Sequence, residues 1–205
     1  TFFKSLRFRI MVILVVIGIV PSFIVKNVVV NSYETRAVSI REVNLKNQCD
    51  ILGNQLMKEN YLREPDSDVI NGELSMLSAI YNGRILIINK DAKIIKDTYD
   101  IDVGKYALSE EVIQCFEGKS TANYDDKNAY IEMTSPITKM DSNTIEGVML
   151  VSISTSEIED SIVMLENRGN LLLSIICILV LVFGYLLAGV LVKPFSRVTK
   201  AIEDL

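Results

Sequence analysis

Two long uncharged apolar runs stand on either side of an acidic middle, so any fold of this chain must tether that middle at both ends. Residues 171–192 are 22 consecutive positions without a charge. At about 1.5 Å rise per residue such a helix is roughly 33 Å long, enough to cross a hydrocarbon core of about 30 Å. The first run, 10–25, has 16 residues between Arg9 and Lys26, and gives about 24 Å of helix. It spans if the Lys26 ammonium snorkels and the helix continues to Val30. The expected organisation is a cytoplasmic segment at 1–9, a first transmembrane helix at 10–30, an extracellular domain at 31–168, a second transmembrane helix at 169–192, and a cytoplasmic segment at 193–205.

Charge sets the orientation. Lys4, Arg7 and Arg9 precede the first run without an acid, and Lys193, Arg197 and Lys200 follow the second. Between them, residues 27–170 carry 14 lysines and arginines against 24 acids, a net of −10 that the overall −5 conceals. Positive-inside logic puts both termini in the cytoplasm and the acidic domain outside. A basic start before an apolar run also fits a signal peptide, but no small-x-small cleavage site follows the run. Gly18 and Pro21 inside it are tolerated in a membrane helix and can kink it. Thr1 is no initiator and Leu205 ends in mid-pattern, so the chain reads as an excerpt of a longer protein.

An acidic exterior with no basic patch makes nucleic acid an unsuitable partner. The chain has no His, which removes the commonest general base and metal ligand, and neither a phosphate-binding loop nor a glycine-rich nucleotide loop is present. No catalytic residue, metal ligand set or cofactor is expected in this segment. The carboxylate pairs Asp100/Asp102 and Asp125/Asp126 suit a hard cation, yet they fall in predicted turns, where Asp serves turn geometry. Three cysteines, Cys49, Cys115 and Cys177, make no disulfide framework. A Cys49–Cys115 bridge or two buried small hydrophobes are the two readings.

Periodicity gives the middle its elements. From Asn27 to about Leu62 the residues favour helix, with Val38, Leu45 and Leu52 spaced by seven and Cys49 and Leu56 each four behind one of them. That stripe is either a dimer seam or the face with which the helix packs on its own domain. A second helix is expected over Asp66–Asn82, closed by Gly83, and a short one over Ser109–Glu117 with Ser109 as N-cap. Strand-like segments follow at Arg84–Asn89, Lys93–Thr98, Ser120–Tyr124, Ala129–Ile137 and Glu146–Ser154. A helix capped by Thr155 or Ser156 then runs through Asn167 into the second apolar run. Tight turns between strands imply an α+β layer, an antiparallel sheet of about five strands with helices on one face.

Arg84-Ile-Leu-Ile-Ile-Asn-Lys-Asp-Ala-Lys-Ile-Ile95 after a long helix, Val103-Gly104-Lys105, and the 109–120 segment resemble a single Cache domain, the PAS-like extracellular sensor of bacterial receptors. Val192-Lys193-Pro194-Phe195 followed by Val198, Ala201, Ile202 and Leu205 resembles the first helix of a HAMP linker, so that 193–205 would be its start. The beginning, Phe2–Arg9, is similar to amino termini of sensor histidine kinases of Gram-positive bacteria. Together the parts resemble the input half of such a kinase, in a homodimer embedded in the bilayer.

The resemblance implies an unknown extracellular ligand or protein partner, with candidate ligand-binding residues Arg84, Asp97, Tyr99, Lys105, Tyr124, Tyr130 and Thr134. It implies a signal relay through Pro194, Val198 and Ile202, and a downstream response regulator reached through a kinase part, absent from this chain, that would use ATP and Mg. A chemotaxis-type receptor, a receptor with a nucleotide-cyclase output and a non-signalling bitopic envelope protein are the alternatives.

Overall fold

The structure, a computed structural model, describes residues 6–139 and 141–203, with the side chains of 8–139, 141–187, 189 and 190. The N-terminal motif at 2–5, Met140 and Leu205 lie outside the described residues. Helix α1 (Leu6–Lys58) is followed by α2 (Asp68–Ile80), β1 (Gly83–Asn89), β2 (Ile94–Asp97), α3 (Glu110–Phe116), β3 (Ala122–Asp125), β4 (Tyr130–Thr138), β5 (Ile145–Ser154) and α4 (Ser156–Glu203). The chain divides into two units, residues 35–160 and residues 1–34 with 161–205.

In the unit 35–160 every strand pair is antiparallel and the strand order is β2-β1-β5-β4-β3. This is the expected α+β sheet of five strands behind a long N-terminal helix. The last strand in sequence lies in the middle of the sheet. Because side chains alternate across a strand, the register assigns the two faces. Leu86 opposes Leu150 and Ile88 opposes Val148 on one face. There, with Ile94, they form a core with Val112 and Cys115 of α3. Ile85, Ile87, Met149, Val151, Ile153, Ile131 and Ile137 point the other way and are also buried. Both faces are therefore covered, which corrects the expectation of helices on one face alone.

Helix α1 contributes Val38, Leu45, Cys49, Leu52 and Leu56 to the interior, and α2 contributes Ile70, Leu74 and Leu77. Tyr61 is fully buried and its hydroxyl donates to Asn71 Oδ1 at 2.6 Å, holding the end of α1 against α2. Of the two readings of the heptad stripe, burial matches the packing one: Val38, Leu45 and Leu52 are buried within their own chain. Those side chains are not free to meet a second copy.

Element ends differ from expectation for local reasons. Helix α2 starts after Ser67, whose hydroxyl accepts from Ile70 N at 3.4 Å, so Asp66 and Ser67 stay outside it. Its left-handed residue is Asn82 (φ 45°), not Gly83. Gly83 opens β1, and a Cβ there would lie 2.5 Å from the Ser152 carbonyl oxygen, so its role is close strand approach. Ser109 holds the N-cap position of α3 without a side-chain capping bond.

The other unit contains the outer parts of α1 and α4. Among the described residues two helices are long and apolar enough to cross a membrane, within Phe8–Lys58 and Ser156–Leu187. Pro21 lies inside α1 without ending it, and Ser22 donates back to the Gly18 carbonyl at 2.8 Å. The backbone of α4 continues as helix past Pro194 to Glu203. The side chains of Pro194, Val198 and Ile202 lie outside the described residues.

Candidate functional site

The β1–β2 pairing turns Arg84 and Asp97 toward the α3 side of the sheet. Asp97 closes β2 and is fully buried. It accepts from Arg84 Nε at 3.0 Å and Arg84 Nη2 at 2.6 Å, and from the backbone amides of Tyr99, Ile101 and Asp102, each at 2.9 Å. Burial alone would raise the Asp97 carboxyl, but the Arg84 guanidinium and the three amides outweigh it and hold it well below the usual carboxylate range. One buried anion thus folds the whole segment that follows β2.

Arg84 reaches a second carboxylate, Asp102 Oδ2, at 2.6 Å, and Lys105 Nζ donates to the other Asp102 oxygen at 2.5 Å. The Asp102 carboxyl is lowered by Lys105 and then by Arg84. Hydrogen bonding to Asp97 raises the Arg84 guanidinium above its ordinary value. Its carbon lies 5.9 Å from the centroid of the exposed Tyr99 ring, within cation–π range. Four of the predicted residues, Arg84, Asp97, Tyr99 and Lys105, are therefore one network. Asp102, read from the sequence as a turn residue, is its fifth member.

The remaining three are placed differently. Thr134 is buried, and its hydroxyl accepts from Thr121 N at 2.9 Å and meets Thr121 Oγ1 at 2.9 Å, fixing the entry to β3. Tyr130 opposes Asp125 at the start of β4, on the same face as Arg84 and half-buried. Tyr124 opposes the buried Ile131 and lies on the other face. Asp125 behaves as a turn residue, accepting from the Lys127 and Asn128 amides at 3.0 Å. Among the described residues no cluster of three or more acids, cysteines or histidines is placed to hold a metal.

Register adds residues that the sequence did not single out. Ser152 lies directly between Arg84 and Glu132, and Glu132 opposes Asn123. Ser152 Oγ donates to Glu132 Oε2 at 3.0 Å. Arg84, Ser152, Glu132 and Asn123 therefore form a polar row across four strands, beyond the apolar core under α3. Glu132 and Ser152 are half-buried. The clue in the sequence is one polar residue at the same alternation phase in each strand, which becomes a row only once the strand order is known.

At the other end of β1 and β5 a concavity of about 520 Å³ is lined by Asn60, Arg63, Lys90, Asp91, Lys139 and Glu146, among others. Both surfaces offer hydrogen bonding and charge, which is binding chemistry.

The chain matches no known family profile and no curated protein. Among solved structures it is similar to the sensor domain of the histidine kinase DctB of V. cholerae, at 14% identity and a TM-score of 0.43, over 65% of this chain and 59% of that one. It is also similar to the ligand-binding domain of the Campylobacter jejuni chemoreceptor Tlp3, solved with L-valine, at 14% identity and a TM-score of 0.43, over 65% of this chain and 60% of that one. The match thus spans less than two thirds of either structure.

Proposed function

We propose that residues 35–160 are a Cache-like sensor of a signal receptor, most simply the input half of a two-component histidine kinase. The observation that carries this reading is continuity. Helix α1 is one 53-residue helix from the first apolar run into the domain, and α4 is one 48-residue helix from the last strand through the second. A domain joined to both apolar runs by continuous helix suits transmission of a conformational bias. Within the domain, Arg41 Nη2 and Glu157 Oε2 approach to 3.1 Å, joining α1 to the first turn of α4.

In this reading both termini are cytoplasmic and the domain is extracellular. A cue that binds one packing of α1 and α4 more tightly than another shifts the second span. Pro194 and the HAMP-like positions Val198 and Ile202 pass that shift to a kinase part that uses ATP and Mg and phosphorylates a response regulator. The cue is read on the polar row, with Arg84, Tyr99, Lys105, Tyr130, Ser152 and Glu132 at its surface and Asp97 and Thr134 holding its frame. The receptor is a homodimer. Its seam on α1 is the exposed stripe Ile40, Val43 and Ile51 rather than Val38, Leu45 and Leu52.

The test uses the intact protein in membrane vesicles with γ-labelled ATP. An alkali-stable, acid-labile label on histidine is the expected result. Absence of label in correctly oriented vesicles would transfer the assignment to a chemotaxis-type receptor or a bitopic envelope protein.

A further inference from the structure

The outer parts of α1 and α4 touch at two heights and part between them. Near mid-span, a Cβ on Gly18 would lie 2.7 Å from Val180 Cγ2. At the domain end, a Cβ on Gly169 would lie 2.9 Å from Lys26 Cγ, so the Lys26 stem lies across Gly169 while its Nζ donates to Asn170 Oδ1 at 2.5 Å. Small residues of this kind let membrane helices approach closely. A groove of about 490 Å³ runs between the two contacts, walled there by Pro21, Val25, Leu172, Leu173 and Ile176, and continues past Lys26 to Val29. Lys26 and Arg168 line it part-way along, with Val30 and Leu165 beyond them on the domain side.

We propose that this groove holds one anionic phospholipid of the surrounding bilayer, its acyl chain along the apolar wall and its phosphate between Lys26 and Arg168. The volume far exceeds the roughly 30 Å³ of a water molecule, and its walls offer water almost no partner. At membrane depth an acyl chain fills such a space at no polar cost. From Lys26 and Arg168 toward mid-span the groove runs the way a phospholipid does, cationic where both apolar runs end and apolar farther in. Among the described residues neither Lys26 nor Arg168 has an ion-pair partner. Basic pockets of this kind between membrane helices select anionic headgroups, and a guanidinium suits a phosphate geometrically. A second copy is the poorer occupant. In a parallel pair it would bring its own Lys26 and Arg168 to the same depth, placing four cations together.

The chain contains no tryptophan, so a single introduced one is a clean reporter. Val25→Trp places it in the groove wall on the mid-span side of Lys26, and Ile24→Trp places it on the neighbouring exposed surface. Each full-length variant is reconstituted in phosphatidylcholine vesicles containing a minor fraction of brominated phosphatidylglycerol or, in parallel, brominated phosphatidylcholine. Val25→Trp should be quenched with about fivefold preference for the anionic lipid, and Ile24→Trp equally by both. Lys26→Gln with Arg168→Gln should abolish the preference at Val25→Trp. Equal quenching of Val25→Trp by the two lipids would overturn the proposal. So would protection from both, together with copy-to-copy crosslinking of Val25→Cys, which would assign the groove to a second chain. Native mass spectrometry of the otherwise unaltered chain, released from the same vesicles, is the independent check. Retained phosphatidylglycerol that is lost in the Lys26→Gln/Arg168→Gln variant supports the site, and none retained refutes it.

Discussion

Asp97 accepts five hydrogen bonds while fully buried. Asp97→Ala leaves Arg84 with a broken pair and three amides without an acceptor, and should lower stability by about 3 kcal/mol. Urea unfolding of the full chain in mild detergent, followed by the near-ultraviolet signal of its tyrosines, measures this. The sign of the pH effect follows from a depressed native pKa. The contribution of Asp97 is complete above the ordinary carboxylate value and is lost only as pH falls toward the lower native one. The unfolding midpoint should therefore be flat in this respect between about pH 5 and 8 and fall in acid, and Asp97→Ala should flatten the acid limb. Cys49 and Cys115 are free and buried. Burial, with Asp50 adding to it, pushes the Cys49 thiol up to about 12, and burial raises Cys115 as well. Iodoacetamide at mildly alkaline pH should spare both in the folded chain and label both in denaturing urea.

At the level of elements, helix α1 has two apolar faces with different duties. Leu45 is fully buried, whereas Val43 is 56% exposed. Leu45→Asp should unfold the domain, since an unpaired carboxylate cannot be accommodated there. Val43→Asp should leave the fold intact and weaken copy-to-copy crosslinking along α1. Thermal melts and crosslinking on the two variants separate these outcomes. Gly83→Ala drives a methyl group into the Ser152 carbonyl of the paired strand and should cost about 2 kcal/mol, read as a lowered melting temperature. Each strand was legible from alternation to within about two residues, as Arg84–Asn89 and Glu146–Ser154 illustrate. The direction of the α1 stripe was not legible, because a period of seven reports that a face is buried and not what buries it. The function of Gly83 was hidden for a related reason: its constraint comes from a strand some seventy residues away.

For the molecule as a whole, the two apolar runs and their charge asymmetry already implied a tethered domain between membrane helices, and α1 and α4 carry those runs without interruption. The candidate site was legible only in part. Arg84, Asp97, Tyr99 and Lys105 do come together, but Ser152 and Glu132 join them through strand order, which no local pattern encodes. That order has a further consequence, for synthesis. β5 pairs with β1 on one side and β4 on the other, yet it is the last strand to be made. Until residues 145–154 emerge, the chain holds two separate hairpins, β1–β2 and β3–β4, each with an inner edge open to pairing with a neighbour. A nascent chain stopped at residue 144 should aggregate, while one stopped at 160 should give a protease-resistant domain, as pulse-chase with limited proteolysis would show. The domain thus closes only as the second membrane helix begins to leave the ribosome, so folding and anchoring are completed almost together.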